Sequence, residues 1–203
     1  MNLYLKSVAH SLISSIVVLF MLVSTVQAKP DTQDSNLYPM VKISTNMGDI
    51  VVELNRRKAP ITVANFIDYV VKDEYDGVIF HRVIDGFVAQ AGGYDTNYEE
   101  KPTGKPIFNE SGNGLSNDRM TIAMARQNDP HSAIRQFYFN LADNKNLNPG
   151  RNWGYSVFGY VVEGEAVLDA IAQVETNYNE TFGSADVPVK QIVINDISLL
   201  PRP

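Results

Sequence analysis

The 203-residue sequence contains no cysteine. That excludes disulfides, thiolate metal ligands, a cysteine nucleophile and a lipid-modified N-terminal cysteine, so a folded domain must be held by its apolar core alone. Histidine is nearly as scarce. The three are His10, His81 and His131, far apart, with no His-x-x-x-His pair and no acidic ligand loop. A zinc or calcium site therefore has no support, and neither a metal nor another cofactor is expected. No glycine-rich phosphate loop precedes a helix, no Gly-x-Ser-x-Gly elbow occurs, and nothing supplies a nucleophile for His81 to activate. A β-barrel hydrolase would lack its chemistry here. Basic residues are outnumbered 17 to 23, for a net charge of −6, and their one cluster, Arg56-Arg57-Lys58, reads as a solvated turn. Nucleic acid and anionic lipid are poor partners for such a chain. There is no internal repeat.

Only one long apolar run is present, Leu12–Val26, behind a short positive start at Lys6 and ahead of Val26-Gln27-Ala28. This is the layout of a signal peptide over residues 1–28. The run is shorter than the roughly 20 residues a membrane helix needs and serines interrupt it, so no stable membrane insertion is expected after cleavage. Removing residues 1–28 takes away one lysine and no acid, which moves the net charge from −6 to −7. Export to a bacterial periplasm fits both this leader and the avoidance of cysteine. Residues 29–40 are polar with Pro30 and Pro39 and read as a flexible lead-in to a single domain over 41–200.

Within that domain, Val41, Ile43 and Thr45 alternate, Asn46-Met47-Gly48 turns, and Ile50, Val52 and Leu54 alternate again, predicting a hairpin. Pro60 suits a first helical turn, and Val63, Phe66, Ile67 and Val70 make one apolar stripe for a helix over about 60–72. Residues 94–119 read as loop. Short strands are expected at Thr121–Ala125 and Phe137–Ala142, and a strand pair around Ser156–Val162. A second helix follows from about 164 to 174, and a bulged final strand lies within Val189–Leu200. Many short strands with two amphipathic helices predict an all-β fold: a closed antiparallel β-barrel of about eight strands, with the two α-helices covering its ends.

The chain is organised around Phe80–Gly93, FHRVIDGFVAQAGG: a strand, a tight turn at Ile84-Asp85-Gly86 and a returning strand. Alternation puts Val78, Phe80 and Arg82 on one face and Ile79, His81 and Val83 on the other. Both faces are apolar, so the pattern leaves open which is the core, and a charged Arg82 among such neighbours needs a purpose. Together with TIAMAR at 121–126, QFYFNLAD at 136–143, Leu147-Asn148, and YSVFGYVVEGEAVLDAI at 155–171, this stretch resembles the cyclophilins, the barrel-type peptidyl-prolyl cis/trans isomerases. The spacing is similar to their bacterial exported branch.

The resemblance implies rotation about X–Pro bonds without a cofactor, by a monomer acting on proline-containing segments of folding exported proteins. It implies a catalytic role for Arg82, assisted by Gln90. Phe87, Val88, Tyr138, Leu147 and Tyr155 would form the proline pocket. Gln136 would orient substrate and arginine, and the backbone at Ala125 and Arg126 would pair with the peptide. This chain departs from the family pattern at Asp85, Val88, Ala91, Tyr138, Asn146 and Tyr155, where relatives usually have proline, methionine, glycine, phenylalanine, an aromatic residue and, in many, histidine. The Tyr138 hydroxyl then needs a partner, and Gln136 is one candidate. The competing reading is a proline-peptide-binding chaperone module with the same barrel and weak or no catalysis.

Overall fold

The computed structural model describes residues 31–150 and 153–202. The expected signal peptide lies outside the described residues. The first hairpin is β1 (Met40–Thr45) and β2 (Gly48–Leu54), and the alternating Val41, Ile43, Ile50, Val52 and Leu54 are all fully buried. Helix α1 (Pro60–Val70) follows with Pro60 at its first turn. No neighbouring side chain caps it. Instead Glu110 reaches in from a distant loop, its carboxylate accepting the N–H groups of Ile61 and Thr62 at 3.1 and 2.8 Å. A carboxylate there satisfies orphan donors and complements the helix dipole.

Strands β3 (Val78–Ile84) and β4 (Val88–Asp95) form the central hairpin, turning through a Phe87 N–H to Ile84 carbonyl bond of 3.0 Å with Gly86 at φ +67°. Then come β5 (Thr121–Met124), β6 (Phe137–Asn140), β7 (Val157–Glu163) and α2 (Glu165–Ala172). The small hairpin β8 (Thr176–Asn179) and β9 (Ser184–Pro188) precedes β10 (Ile194–Leu199). Eight strands form one antiparallel sheet in the order β10-β1-β2-β7-β5-β6-β4-β3. Its two edges meet: the N–H groups of Gly77 and Phe80 donate to the carbonyls of Ile194 and Ile192, both at 2.9 Å, with an antiparallel bridge between Ile79 and Val193. The barrel is nearly closed, which leaves little unpaired edge. Phe66 of α1 plugs one opening, its ring 5.2–5.4 Å from those of Tyr75, Phe137 and Phe158. Leu168 and Ile171 of α2 are fully buried in the same core. Each such side chain contributes about 1.5–3 kcal/mol relative to exposure.

Four expectations need correction. The pair of strands around Ser156–Val162 is a single strand, β7, joined on both sides to strands distant in sequence, β2 and β5. The final strand begins at Ile194, since Val189 is 58% exposed and belongs to the turn after β9; the expected bulge is there, because Ser44 stands opposite Asp196 and Thr45 opposite Ile194, which leaves Asn195 as the extra residue on β10. Hairpin β8–β9 was not expected, because its polar residues have no apolar alternation; it is seated by Phe182, which packs against His81, Tyr94 and Tyr98. The lead-in, finally, is tied down over residues 31–39. Arg56 is only 8% exposed, and its guanidinium donates to the carbonyls of Asn36 at 3.1 Å and Thr32 at 2.9 Å. Gln33 reaches the Leu200 carbonyl at 2.8 Å. Arg56 is thus a buried clamp rather than part of a solvated turn.

Arg56→Ala is therefore expected to lower the unfolding free energy by about 1–3 kcal/mol, the scale for lost hydrogen bonds to a buried charged donor. Residues 31–38 should also become cleavable in limited proteolysis. Urea denaturation and mass mapping of the first cuts check both outcomes.

Candidate active site

Successive residues of a strand point to opposite faces. In β4, Ala89 and Ala91 enter the barrel core while Val88 and Gln90 point out. In β6, Phe137 and Phe139 point in and Tyr138 out; in β5, Ile122 and Met124 in and Ala123 out; in β7, Phe158 in and Val157 out. The outward residues Val88, Ala123, Tyr138 and Val157 are nevertheless buried. They form a second apolar cluster, lined by Phe87, Leu115, Ala125, Leu147 and Tyr155, that shares no residue with the core. An apolar floor on the outside of a barrel is a place made for a ligand.

Arg82 is brought to this floor by a break in the alternation. Phe80 stands opposite Ala91 and Arg82 opposite Gln90, so two steps along β3 match one along β4 and His81 is the extra residue of a bulge. Phe80 stays in the core, Val83 re-enters it, and Arg82 turns to the groove. The expectation that Phe80 and Arg82 share a face is corrected on this point. Arg82 enters no ion pair among the described residues. His81 is 4% exposed, with its ring 4.8 Å from Tyr94 and 6.0 Å from Phe182. Burial holds its pKa down to about 4, so the imidazole is neutral at physiological pH and acts in packing.

The groove is a cavity of about 290 Å3 lined by Arg82, Phe87, Val88, Gln90, Ala125, Arg126, Tyr138, Leu147 and Tyr155. Gln136 stands in an adjoining hollow of about 130 Å3 that shares Gln90, Ala125 and Arg126 with it. Every residue singled out from the sequence therefore lies along one continuous surface. The Gln90 amide donates to Gln136 Oε1 at 2.8 Å. Their placement depends on β4 again: it bulges between Ala91 and Asp95, and Gly93 lets Gln136 lie against the backbone. A Cβ on Gly93 would stand 2.4 Å from Gln136 Nε2. Arg126 contributes its side chain as well as its backbone. The guanidinium carbon lies 4.5 Å from the centre of the Tyr155 ring, and Nη2 donates to the Trp153 carbonyl at 2.7 Å. The Ala125 N–H is already bonded to the Gln136 carbonyl at 2.9 Å, so at this residue only the carbonyl is left for a peptide.

The partner of Tyr138 is Asn117, not Gln136. The hydroxyl donates to Asn117 Oδ1 at 2.7 Å. Burial pushes the phenol's pKa well above its ordinary range, so it stays a donor. Asn117 is fully buried and also receives Asn140 Nδ2 at 3.2 Å, while its own amide donates to the Leu147 carbonyl at 3.2 Å. Asn144 extends the network to the Phe87 carbonyl at 2.8 Å and to Asn140 Oδ1 at 2.7 Å. The asparagines thus hold both the Leu147 and the Phe87 wall. Sequence reasoning missed Asn117, Asn140 and Asn144; the density of asparagine at 140–148 was the available signal for the last two and reads equally well as ordinary turn chemistry, while nothing local marked Asn117.

An outward apolar pocket on a nearly closed barrel, lined by Arg82, Arg126 and a paired glutamine, defines a site of the cyclophilin kind. The chain belongs to the cyclophilin-type peptidyl-prolyl cis-trans isomerase family: the family described as "Cyclophilin type peptidyl-prolyl cis-trans isomerase/CLD" matches residues 40–199. It is 49% identical over 164 residues to a peptidyl-prolyl cis-trans isomerase, cyp18, of Streptomyces antibioticus, covering 79% of this chain and 98% of the relative. It is 44% identical over 164 residues to peptidyl-prolyl cis-trans isomerase B of Escherichia coli, covering 79% and 99%. A crystal structure of a Cryptosporidium parvum cyclophilin-type isomerase superposes with a TM-score of 0.69 at 25% identity, covering 82% of this chain and 99% of that one.

Two outcomes follow for isomerase assays. Because Asn117 already satisfies the Tyr138 hydroxyl, Tyr138→Phe should keep kcat/KM within about tenfold of the parent, a change of about 1.4 kcal/mol. It should lose about 1 kcal/mol of stability. A hundredfold loss with the fold intact would place the hydroxyl in the catalytic apparatus. Gly93→Ala should push Gln136 off Gln90 and lower kcat/KM about tenfold, roughly 1.4 kcal/mol, with little change in Tm. Parental activity in that variant would show that the glutamine pair is dispensable.

Proposed function

We propose that this protein catalyses cis/trans rotation about X–Pro bonds in exported polypeptides, assisting their folding in a bacterial periplasm. The observation that carries the reading is the juxtaposition of Arg82 with an apolar floor on the outer barrel face. Amide resonance sets a rotation barrier of about 20 kcal/mol, and crossing it exchanges no proton and no covalent bond. What the reaction asks for is a fixed ring and a donor that favours the twisted amide. Val88, Ala123, Tyr138 and Val157 floor a pocket for the proline ring, with Phe87 and Leu147 as walls. Rotation pyramidalises the prolyl nitrogen and frees its lone pair. Arg82, permanently charged and without acceptors, donates to that group as it develops. The Gln90–Gln136 pair, joined by a hydrogen bond beside the groove, orients substrate and arginine. A five-decade acceleration needs roughly 7 kcal/mol, within reach of one charged donor, a desolvated pocket and substrate orientation acting together.

The solved Cryptosporidium relative was studied in the presence of an Ala-Pro dipeptide, which supports proline-containing segments as the substrate class. Export rests on the signal-peptide layout of residues 1–28.

In a protease-coupled assay, Arg82→Ala should lower kcat/KM by roughly a hundred- to thousandfold, the scale for one pre-organised donor, with Tm preserved. Arg82→Lys should restore only part, because an ammonium lacks the planar fork. A parent that binds X-Pro peptides without accelerating their exchange by NMR would instead be a chaperone module. For location, intact-mass measurement of the exported protein should give a soluble chain beginning at Lys29. A membrane-bound species that still carries residues 1–28 would overturn the export reading.

A further inference from the structure

Beside the groove lies an aromatic surface to which the reaction assigns nothing. Phe108 and Trp153 are 56% and 49% exposed. Single exposed apolar residues are ordinary, but these two are assembled. The Phe108 ring stacks on the His131 imidazole at 4.4 Å and 18°, and Trp153 meets His131 edge-on at 5.0 Å and Phe108 at 6.3 Å. The plate is held from beneath. His131 Nδ1 accepts the Asn109 N–H at 3.1 Å, and the Asn109 amide, from a residue 5% exposed, donates to the carbonyls of Pro130 at 3.1 Å and Gly154 at 3.0 Å. It is also continuous with the groove. The Gly154 carbonyl receives Arg126 Nε at 3.3 Å, and that guanidinium bridges the Trp153 carbonyl and the face of Tyr155. Ser132, next to His131, lines the hollow that holds Gln136.

We propose that Phe108, His131 and Trp153 extend the substrate groove as a subsite for an aromatic side chain of the bound polypeptide, a few residues from the proline. The inference rests on the isomerase reading. Arg126 links the Tyr155 face of the groove to the Trp153 carbonyl of the plate, and an extended chain that follows this line at about 3.3–3.6 Å per residue brings a nearby side chain onto the aromatic rings. Rigid, pre-assembled aromatic faces are the surfaces on which binding energy concentrates, and they favour ring partners over aliphatic ones by edge-to-face contact. The occupant is thus substrate rather than a second copy of the chain, and the enzyme prefers prolines flanked by aromatic residues.

The test uses the full mature chain and two peptide series, Ala-rich X-Pro pentapeptides and the same peptides with phenylalanine two residues before or after the proline. The parent should turn over the better phenylalanine peptide with a kcat/KM about tenfold higher, carried by KM. Trp153 is the single tryptophan of the chain, so its emission reports the plate directly and should shift to the blue on titration with that peptide only. In Phe108→Ser the preference ratio should fall from about ten to near one. A ratio near one in the parent, or one that stays at ten in Phe108→Ser, would overturn the proposal. So would a concentration-dependent dimer in sedimentation that Phe108→Ser abolishes, since the plate would then be a self-association surface. A parent that shifts Trp153 emission but accelerates no peptide would sink the isomerase reading and leave the subsite standing.

Discussion

The site depends on one backbone irregularity, the bulge at His81. A closed barrel fixes which face of each strand is inside, and the regular two-residue period would aim Arg82 into the core beside Phe80. An unpaired guanidinium there would cost far more than a small domain can spare. With one additional residue on β3, Phe80 and Val83 keep their places in the core while Arg82 faces the groove. His81, the residue that creates the offset, is taken up between Tyr94 and the cover provided by Phe182. The small hairpin β8–β9, which carries no residue of the groove, is therefore part of the arrangement that keeps the bulge dry.

The remaining polar groups of the site follow the same logic of satisfaction at a distance. Gln90 and Gln136 pair across adjacent strands over a glycine. Asn117, Asn140 and Asn144 turn a loop-rich region into a rigid rim by bonding to the backbone of Leu147 and Phe87 and to the hydroxyl of Tyr138. The exposed end of α1 is closed by Glu110 in a similar way. Such networks stabilise only when complete, and the tyrosine in place of the usual phenylalanine is accommodated because an acceptor already stood beneath it.

How far the sequence could be read depended on whether the signal was local. Val41, Ile43, Ile50 and Val52 alternate, and Val63, Phe66, Ile67 and Val70 recur at helical spacing, so those elements and their buried faces were legible at once. The groove residues were legible only through whole motifs, since Tyr138 and Val157 look like core positions by composition. Contacts between distant segments left no trace in the pattern: Arg56 closing on residues 32–36, Glu110 on α1, and Asn117 under Tyr138. Hairpin β8–β9 is held by Phe182 rather than by an apolar face of its own. The bulge was invisible for a different reason. β3 is apolar on both faces, so either phase of the alternation fits it equally well.

The two apolar clusters lie on opposite sides of the same few strands and share no side chain. Neighbouring codons in β4, β5, β6 and β7 therefore answer to different demands. An altered Phe137 or Phe139 is judged by whether the chain folds, while an altered Val88 or Tyr138 reshapes the outer groove. Inheritance can vary the second set while the first stands still, so a lineage can reshape its groove without passing through an unfolded ancestor.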